Sequence, residues 1–132
     1  MKASIVKYLS GVVLGVCFTA LTSGAWAAEV PFNKAQFDQD VAAGKPTIVY
    51  LHATWCPICK IQTPIVERLS TDPTLKSVTI FLADYDTEVA LKKSLKVTQQ
   101  STFVVFKQGH EVTRSTGQTQ EQVIRATFEQ AL

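Results

Sequence analysis

Runs of like charge, internal repeats and second metal-ligand pairs are all missing from this chain of 132 residues. Thirteen Lys and Arg stand against eleven Asp and Glu, for a net charge of +2. With no block of one sign, nucleic acid and an anionic membrane surface are poor partners. No low-complexity tract or linker divides the chain, so one small domain with one core is expected. Cysteine is scarce at three residues and histidine at two. A structural zinc site takes four ligands, usually a second Cys-x-x-Cys or a His pair. Only His52 and His110 are available, which argues against an intrachain zinc site.

The N-terminus has a distinct composition. Lys2 and Lys7 make a short basic start, Leu9 to Leu21 is apolar apart from small residues, and Ala25-Trp26-Ala27 places small residues where a signal peptidase reads. This is the pattern of a secretory signal, with cleavage expected after Ala27. The expected organisation is therefore residues 1–27 as signal peptide and 28–132 as a single domain, located in the periplasm or secreted. The alternative is an uncleaved anchor, since the apolar stretch approaches the length of a span. After cleavage no membrane span would remain. Loss of Lys2 and Lys7 would leave eleven basic and eleven acidic residues. Cys17 would leave with the signal, so Cys56 and Cys59 would be the two cysteines of a protein in a disulfide-permissive compartment.

The remaining pattern alternates helix and strand. Asn33 to Ala43 reads as a helix with Asn33 as N-cap, Phe37 and Val41 on one face and Gly44 as the stop. Thr47 to Leu51 is a continuous run of β-formers, as in a strand covered on both faces. Pro57 to about Ser70 is helical, with Ile61, Ile65, Val66 and Leu69 predicted on the inner face and a kink predicted at Pro64. Val78 to Ala83 is a second buried strand. Thr87 to Leu95 is helical, with Val89, Leu91 and Leu95 as its apolar residues. Thr102–Phe106 and Glu111–Ser115 form a hairpin through Gln108-Gly109. A last helix is expected to be capped by Thr119 and to carry Val123, Ile124, Ala126 and Phe128. The order α-β-α-β-α-β-β-α implies an α/β fold with a central mixed sheet of about four strands and helices on both faces.

His52-Ala-Thr-Trp-Cys-Pro-Ile-Cys-Lys60 carries the chemistry. It places two cysteines at the carboxyl end of a central strand, where open α/β sheets build their sites. With Cys56 as N-cap and Pro57 as first helical residue, the Cys56 sulfur faces free backbone N–H groups and the positive end of the helix dipole. Both favour a thiolate, so the Cys56 pKa is expected to fall from about 8.5 into the range of roughly 3.5–7.5. Cys59, one turn on and expected to lie deeper, resolves the mixed disulfide that Cys56 forms. A purely structural disulfide closing so small a loop would constrain the unfolded chain little.

These residues resemble the thioredoxin family over nearly all of residues 28–132. The resemblance rests on Trp55-Cys-Pro-Ile-Cys-Lys60, Pro64, Asp84-Tyr-Asp86, Thr102-Phe-Val-Val-Phe-Lys-Gln-Gly109 and Gly117. It implies a thioredoxin fold and thiol–disulfide exchange, with Cys56 as nucleophile and Cys59 as resolving thiol. Trp55, Pro57, Ile58, Ser101 and Thr102 would line the substrate site. It also implies no bound cofactor, protein dithiol or disulfide substrates, and a membrane electron donor as a candidate partner. A reductase is the preferred direction.

Three departures from the family stand out. Pro57-Ile58 replaces the Gly-Pro between the cysteines, as in glutaredoxins and periplasmic oxidases. Tyr50 and Leu82 occupy the positions of the buried Asp–Lys pair that serves the resolving thiol; a water, Glu67 or no side chain takes its place. Ser101 stands where the family has a cis-proline, and a trans Gln100–Ser101 peptide is expected. A divergent substrate loop is the ordinary reading of Ser101. Loss of the shielding proline also opens the rival function, a metal-binding module or metallochaperone using Cys56 and Cys59 with His52.

Overall fold

A computed structural model describes residues 27–132. The segment read as a signal, including Cys17, lies outside the described residues. The elements run β1 (Ala28–Pro31), α1 (Lys34–Ala42), β2 (Thr47–His52), α2 (Pro57–Ser70), a 3-10 turn (Pro73–Leu75), β3 (Thr79–Asp84), α3 (Val89–Leu95), β4 (Thr102–Lys107), β5 (His110–Thr116) and α4 (Glu121–Glu129).

They build one mixed sheet in the order β1-β3-β2-β4-β5. β3 pairs in parallel with β1 and β2, and β4 pairs antiparallel with β2 and β5. The sheet has five strands rather than the expected four, because Ala28–Pro31 was not legible as a strand. It is too short to show alternation, and Pro31 argues against a central strand. At a sheet edge a proline is tolerated, and β1 takes its ladder from β3, continuing through Phe32 N–H to Leu82 O at 2.8 Å.

β2 is central and its first five residues are buried. Ile48 and Tyr50 face a core completed by Ile65, Val66 and Leu69 of α2 and by Ile124 and Phe128 of α4. Val49 and Leu51 face the opposite core, with Phe37 of α1 and Leu91 of α3. Coverage on both faces is what an uninterrupted apolar strand requires. In α1, Asn33 accepts from Gln36 N–H at 3.0 Å, a side-chain cap at the predicted residue. The β4–β5 hairpin turns through Gln108 and Gly109, with φ of 50° and 83°, the paired left-handed conformation that favours a tight two-residue turn.

Several helical faces differ from expectation. α2 runs on through Pro64 and buries Cys59, Gln62, Ile65, Val66 and Leu69, while Ile61 is 48% exposed. Cys59 sets the inward direction, and positions three and seven residues further on follow it; Ile61 falls off that stripe and polar Gln62 falls on it. In α3, Leu91 is buried and Val89 is 62% exposed. α4 starts from Gln120 rather than Thr119, with no side-chain cap bond. It buries Ile124 and Phe128, and leaves Val123 and Ala126 exposed.

Candidate active site

The first turn of α2 projects from the carboxyl end of β2. Cys56 is its N-cap, in extended conformation with φ −78° and ψ 120°, and Pro57 is the first helical residue. The Cys56 sulfur accepts from the Cys59 N–H at 3.2 Å, so one of the helix's unpaired donors is satisfied by sulfur. Burial pushes the Cys56 thiol up. Hydrogen bonds from the Cys59 thiol, the Ser101 hydroxyl and the backbone N–H groups of Cys59 and Ile58 outweigh it and hold the pKa at about 7, against 9.0 for the free group. The expected difference in depth between the two thiols is not seen: Cys56 is 1% exposed and Cys59 2%. The two cysteines form a buried cluster with Ala53, against which Ile58 and Tyr85 pack.

Ser101 supplies the densest contacts. Its Oγ lies 3.0 Å from Cys56 Sγ and 3.1 Å from Cys59 Sγ. The residue is buried and its φ is +59°. No cis peptide bond occurs among the described residues, so the Gln100–Ser101 bond is trans. The Ser101 carbonyl accepts from Gly117 N–H at 2.9 Å and from Gln62 Nε2 at 3.3 Å. The Gln62 amide also donates to Gln118 O at 2.8 Å. This fully buried glutamine ties α2 to the loop before β4. It escaped notice in the sequence, although a polar residue three positions after Cys59 on an otherwise apolar stripe was a usable signal.

Trp55 is 55% exposed. Its indole N–H donates to Asp86 Oδ2 at 2.7 Å, and Asp84 Oδ1 accepts from the N–H groups of Asp86 and Thr87 at 2.8 and 3.0 Å. The Asp84–Asp86 segment is thus a capped loop that holds the tryptophan beside the cysteines. Pro57 is exposed, and Ile58 is half-buried against the cluster that the cysteines form with Ala53. Thr102 is buried, but its hydroxyl bonds to Gln99 O and Thr116 Oγ1 at 2.8 and 2.9 Å, not to the sulfurs.

The residues at the positions of the family's buried pair lie on adjacent strands. Tyr50 and Leu82 are direct partners in the β2–β3 register. The buried Tyr50 hydroxyl donates to Cys59 O at 3.4 Å, and Thr63 Oγ1 donates to the same carbonyl at 2.9 Å. Burial, then the charge of Cys59, push the phenol above the usual tyrosine range. Glu67 lines an open groove of about 440 Å³ that also contains Cys59, His52 and Lys60. His52 is half-buried, with its ring centroid 5.1 Å from that of Tyr50. Burial lowers its pKa, and the nearby Asp84 carboxylate acts in the opposite direction. Cys56, Cys59 and His52 do not come together as a ligand set: among the described residues no three His, Cys, Asp or Glu side chains converge as a metal site would require. His52 lies on the Tyr50 side of β2 and shares the groove with Cys59.

A helix-terminal thiol near pKa 7 beside a second thiol is an arrangement for disulfide exchange. Comparison with known proteins agrees. The family model of thioredoxin matches residues 28–130. A thioredoxin from Mycobacterium tuberculosis is 31% identical over 98 residues, spanning 74% of this chain and 84% of that protein. The H-type thioredoxin of Chlamydomonas reinhardtii is 35% identical over 96 residues, spanning 69% and 83%. Among solved structures, Trxlp from Edwardsiella tarda superposes with a TM-score of 0.74 at 33% identity, covering 76% of this chain and 98% of that one. A Malassezia sympodialis thioredoxin gives 0.69 at 26% identity, covering 78% and 91%.

Proposed function

The chain belongs to the thioredoxin family, and we propose that it works as an exported thiol–disulfide oxidoreductase, running as a reductase, with Cys56 as nucleophile and Cys59 as resolving thiol. The thiol–disulfide oxidoreductase activity itself follows from the family and the paired cysteines. The observation that carries the assignment of roles is the Cys59 N–H bond to Cys56 Sγ at 3.2 Å, which makes Cys56 the helix-stabilised thiolate. Cys56 attacks a substrate disulfide and forms a mixed disulfide. Cys59 then attacks Cys56 Sγ, and the second substrate sulfur leaves as thiolate. Substrates are protein disulfides, approached across the exposed Trp55 and Ile61 side chains.

The direction rests on the strength of thiolate stabilisation. A strongly stabilised thiolate favours the dithiol and makes the disulfide oxidising, as in oxidases with a cysteine pKa of about 3.5. A Cys56 pKa of about 7 matches the value of roughly 7 found in reducing members. A membrane dithiol donor would regenerate the reduced form outside the cytoplasm. Export rests on the basic, apolar and A-x-A sequence of residues 1–27. Residues 28–132 then form the functional domain. In its described part no helix is long and apolar enough to cross a membrane.

Reduction of insulin disulfides by the purified protein, with dithiothreitol as donor, tests the activity. Loss of turnover in Cys56→Ser, with accumulation of a substrate adduct in Cys59→Ser, is the expected pair of results. Retained turnover in Cys56→Ser would overturn the assignment. Expression of the full chain in a Gram-negative host, with the mass of the product read after fractionation, tests export. A periplasmic product lacking residues 1–27 is expected; a full-length cytoplasmic product would refute it.

A further inference from the structure

The hydroxyl of Ser101 is within hydrogen-bond distance of both cysteine sulfurs, at 3.0 and 3.1 Å. A hydroxyl has one proton to donate and lone pairs to accept with. It therefore serves the two sulfurs differently at any instant. With Cys56 as thiolate, the hydroxyl donates to Cys56, as the Cys59 thiol also does. In the mixed disulfide Cys56 carries no charge, and Cys59 becomes the sulfur that needs a donor.

The backbone argues that this side chain is there for its oxygen. A φ of +59° is costly for a residue with a Cβ and free for glycine. The loop is held in that conformation from outside, through the Ser101 carbonyl and the donors Gly117 N–H and Gln62 Nε2. Glycine would satisfy the backbone without strain. Serine adds a Cβ, which bears the strain, and a hydroxyl, whose hydrogen-bond contacts are the two sulfurs. Buried hydrogen bonds to a charged sulfur are among the stronger ones.

Resting on the exchange reading above, we propose that Ser101 is a catalytic hydroxyl rotor, which gives its hydrogen bond first to the Cys56 thiolate and then, by rotation about Cβ–Oγ, to the Cys59 thiolate as it attacks. In the resolving step the Cys59 proton leaves to solvent through the groove beside His52, Lys60 and Glu67. A Cys59–Cys56 S–S bond forms and the Cys56–substrate S–S bond breaks. The electron pair of the broken bond leaves with the substrate sulfur, which takes a proton from solvent. The cysteines are oxidised and the substrate disulfide is reduced. The hydroxyl ends with the proton it began with. Such a rotor supplies locally what a buried carboxylate would supply at Tyr50: a stabilised resolving thiolate.

Other titratable groups face this pair. Cys59 faces Cys56 from α2, Tyr85 packs against the cluster of Ala53, Cys56 and Cys59 from the loop after β3, the Tyr50 hydroxyl on β2 bonds to Cys59 O, and His52, Lys60 and Glu67 share the groove. The test therefore varies Ser101 and leaves all of these in place. Ser101→Gly removes the hydroxyl and relieves the backbone; Ser101→Ala removes it and keeps the strain. Two quantities are read in the full protein and both variants. One is the Cys56 pKa from ultraviolet thiolate absorbance. The other is the rate at which Cys59 releases glutathione from a Cys56–glutathione disulfide. Both variants are expected to raise the pKa by about one to two pH units and to slow release about tenfold or more. Equal effects in Gly and Ala place the cause in the hydroxyl. If neither quantity moves, Ser101 is a packing residue and the proposal falls. If the pKa rises and release is unchanged, rotation to Cys59 is refuted. If the effects appear in one variant alone, backbone strain is the cause and the proposal also falls. A wild-type chain that releases no glutathione would refute the exchange reading itself. The thiolate titration would then still decide whether Ser101 donates to Cys56.

Discussion

At one end of β4 the chain turns through Gln108 and Gly109, with φ of 50° and 83°; at the other it enters from Ser101, with φ of 59°. The backbone demand is similar, but the answers differ. At Gly109 the demand alone selects the residue, although Gln108 beside it carries a side chain at positive φ. Gly109 has φ +83°, and a Cβ there would approach Val41 O at 3.3 Å. Beside the cysteines a serine is kept in the same region of φ, its carbonyl held by two donors and its hydroxyl against two sulfurs. One end of the strand is built for the fold. The other accepts local strain, about 1–2 kcal/mol for a side chain in the left-handed region, in exchange for a polar group at the reacting atoms.

The sharpest way to break this comparison is to exchange the two demands. Ser101→Gly is expected to hold or raise the thermal midpoint, because it removes strain, while glutathione release slows about tenfold. Gly109→Ala is expected to lower stability by about 1–2 kcal/mol in a denaturant melt, with insulin reduction at the wild-type rate. If Gly109→Ala slowed exchange as Ser101→Gly does, the two ends would not be distinct and the contrast would collapse.

Acidity sharpens the same contrast. With the Cys56 pKa at about 7, the initial rate of mixed-disulfide formation should rise as pH increases through about 7 and level off above it. In Ser101→Gly the midpoint of that rise should move upward. The folded value lies below the free value of 9.0. The stability linked to the Cys56 thiolate is therefore fully present above pH 9.0 and is lost as pH falls through about 7. Denaturant melts of the reduced protein across that window check the sign. A smaller effect is expected where the site meets solvent. Asp86→Asn weakens the exposed Trp55 indole bond and should change tryptophan fluorescence while costing less than about 1 kcal/mol of stability. Glu67→Gln removes a groove carboxylate. If Ser101 serves the resolving thiol, the pH–rate profile should keep its shape; a displaced profile would assign that service to Glu67.

Much of the architecture was legible because the pattern is local. The apolar run Thr47–Leu51, the Asn33 cap and the Gln108-Gly109 turn each carry their physical reason within a few residues. β1 was not legible: four residues ending in proline become a strand only through pairing with β3. Ile61 was misplaced relative to the core, and Gln62 overlooked, for a related reason. Hydropathy put Ile61 inward, but the helix's orientation is set by the cysteines and by Gln62 reaching the Ser101 and Gln118 carbonyls. Tyr50 and Leu82 were marked ahead by the family resemblance, and the β2–β3 register makes them partners. The contact of Ser101 with both sulfurs could not be read ahead, because it depends on a loop conformation 42 residues from Cys59. Residue type marked the position as unusual, and only geometry showed the hydroxyl between the thiols.

The most direct test of the central claim is the redox equilibrium of the purified protein against glutathione and dithiothreitol buffers, followed by tryptophan fluorescence and thiol trapping. The account predicts one two-electron transition, a Cys56–Cys59 disulfide, and a midpoint toward the reducing end, near about −270 mV. A midpoint near about −120 mV would contradict the reductase direction. Absence of an intramolecular disulfide at every poise would contradict the exchange function altogether.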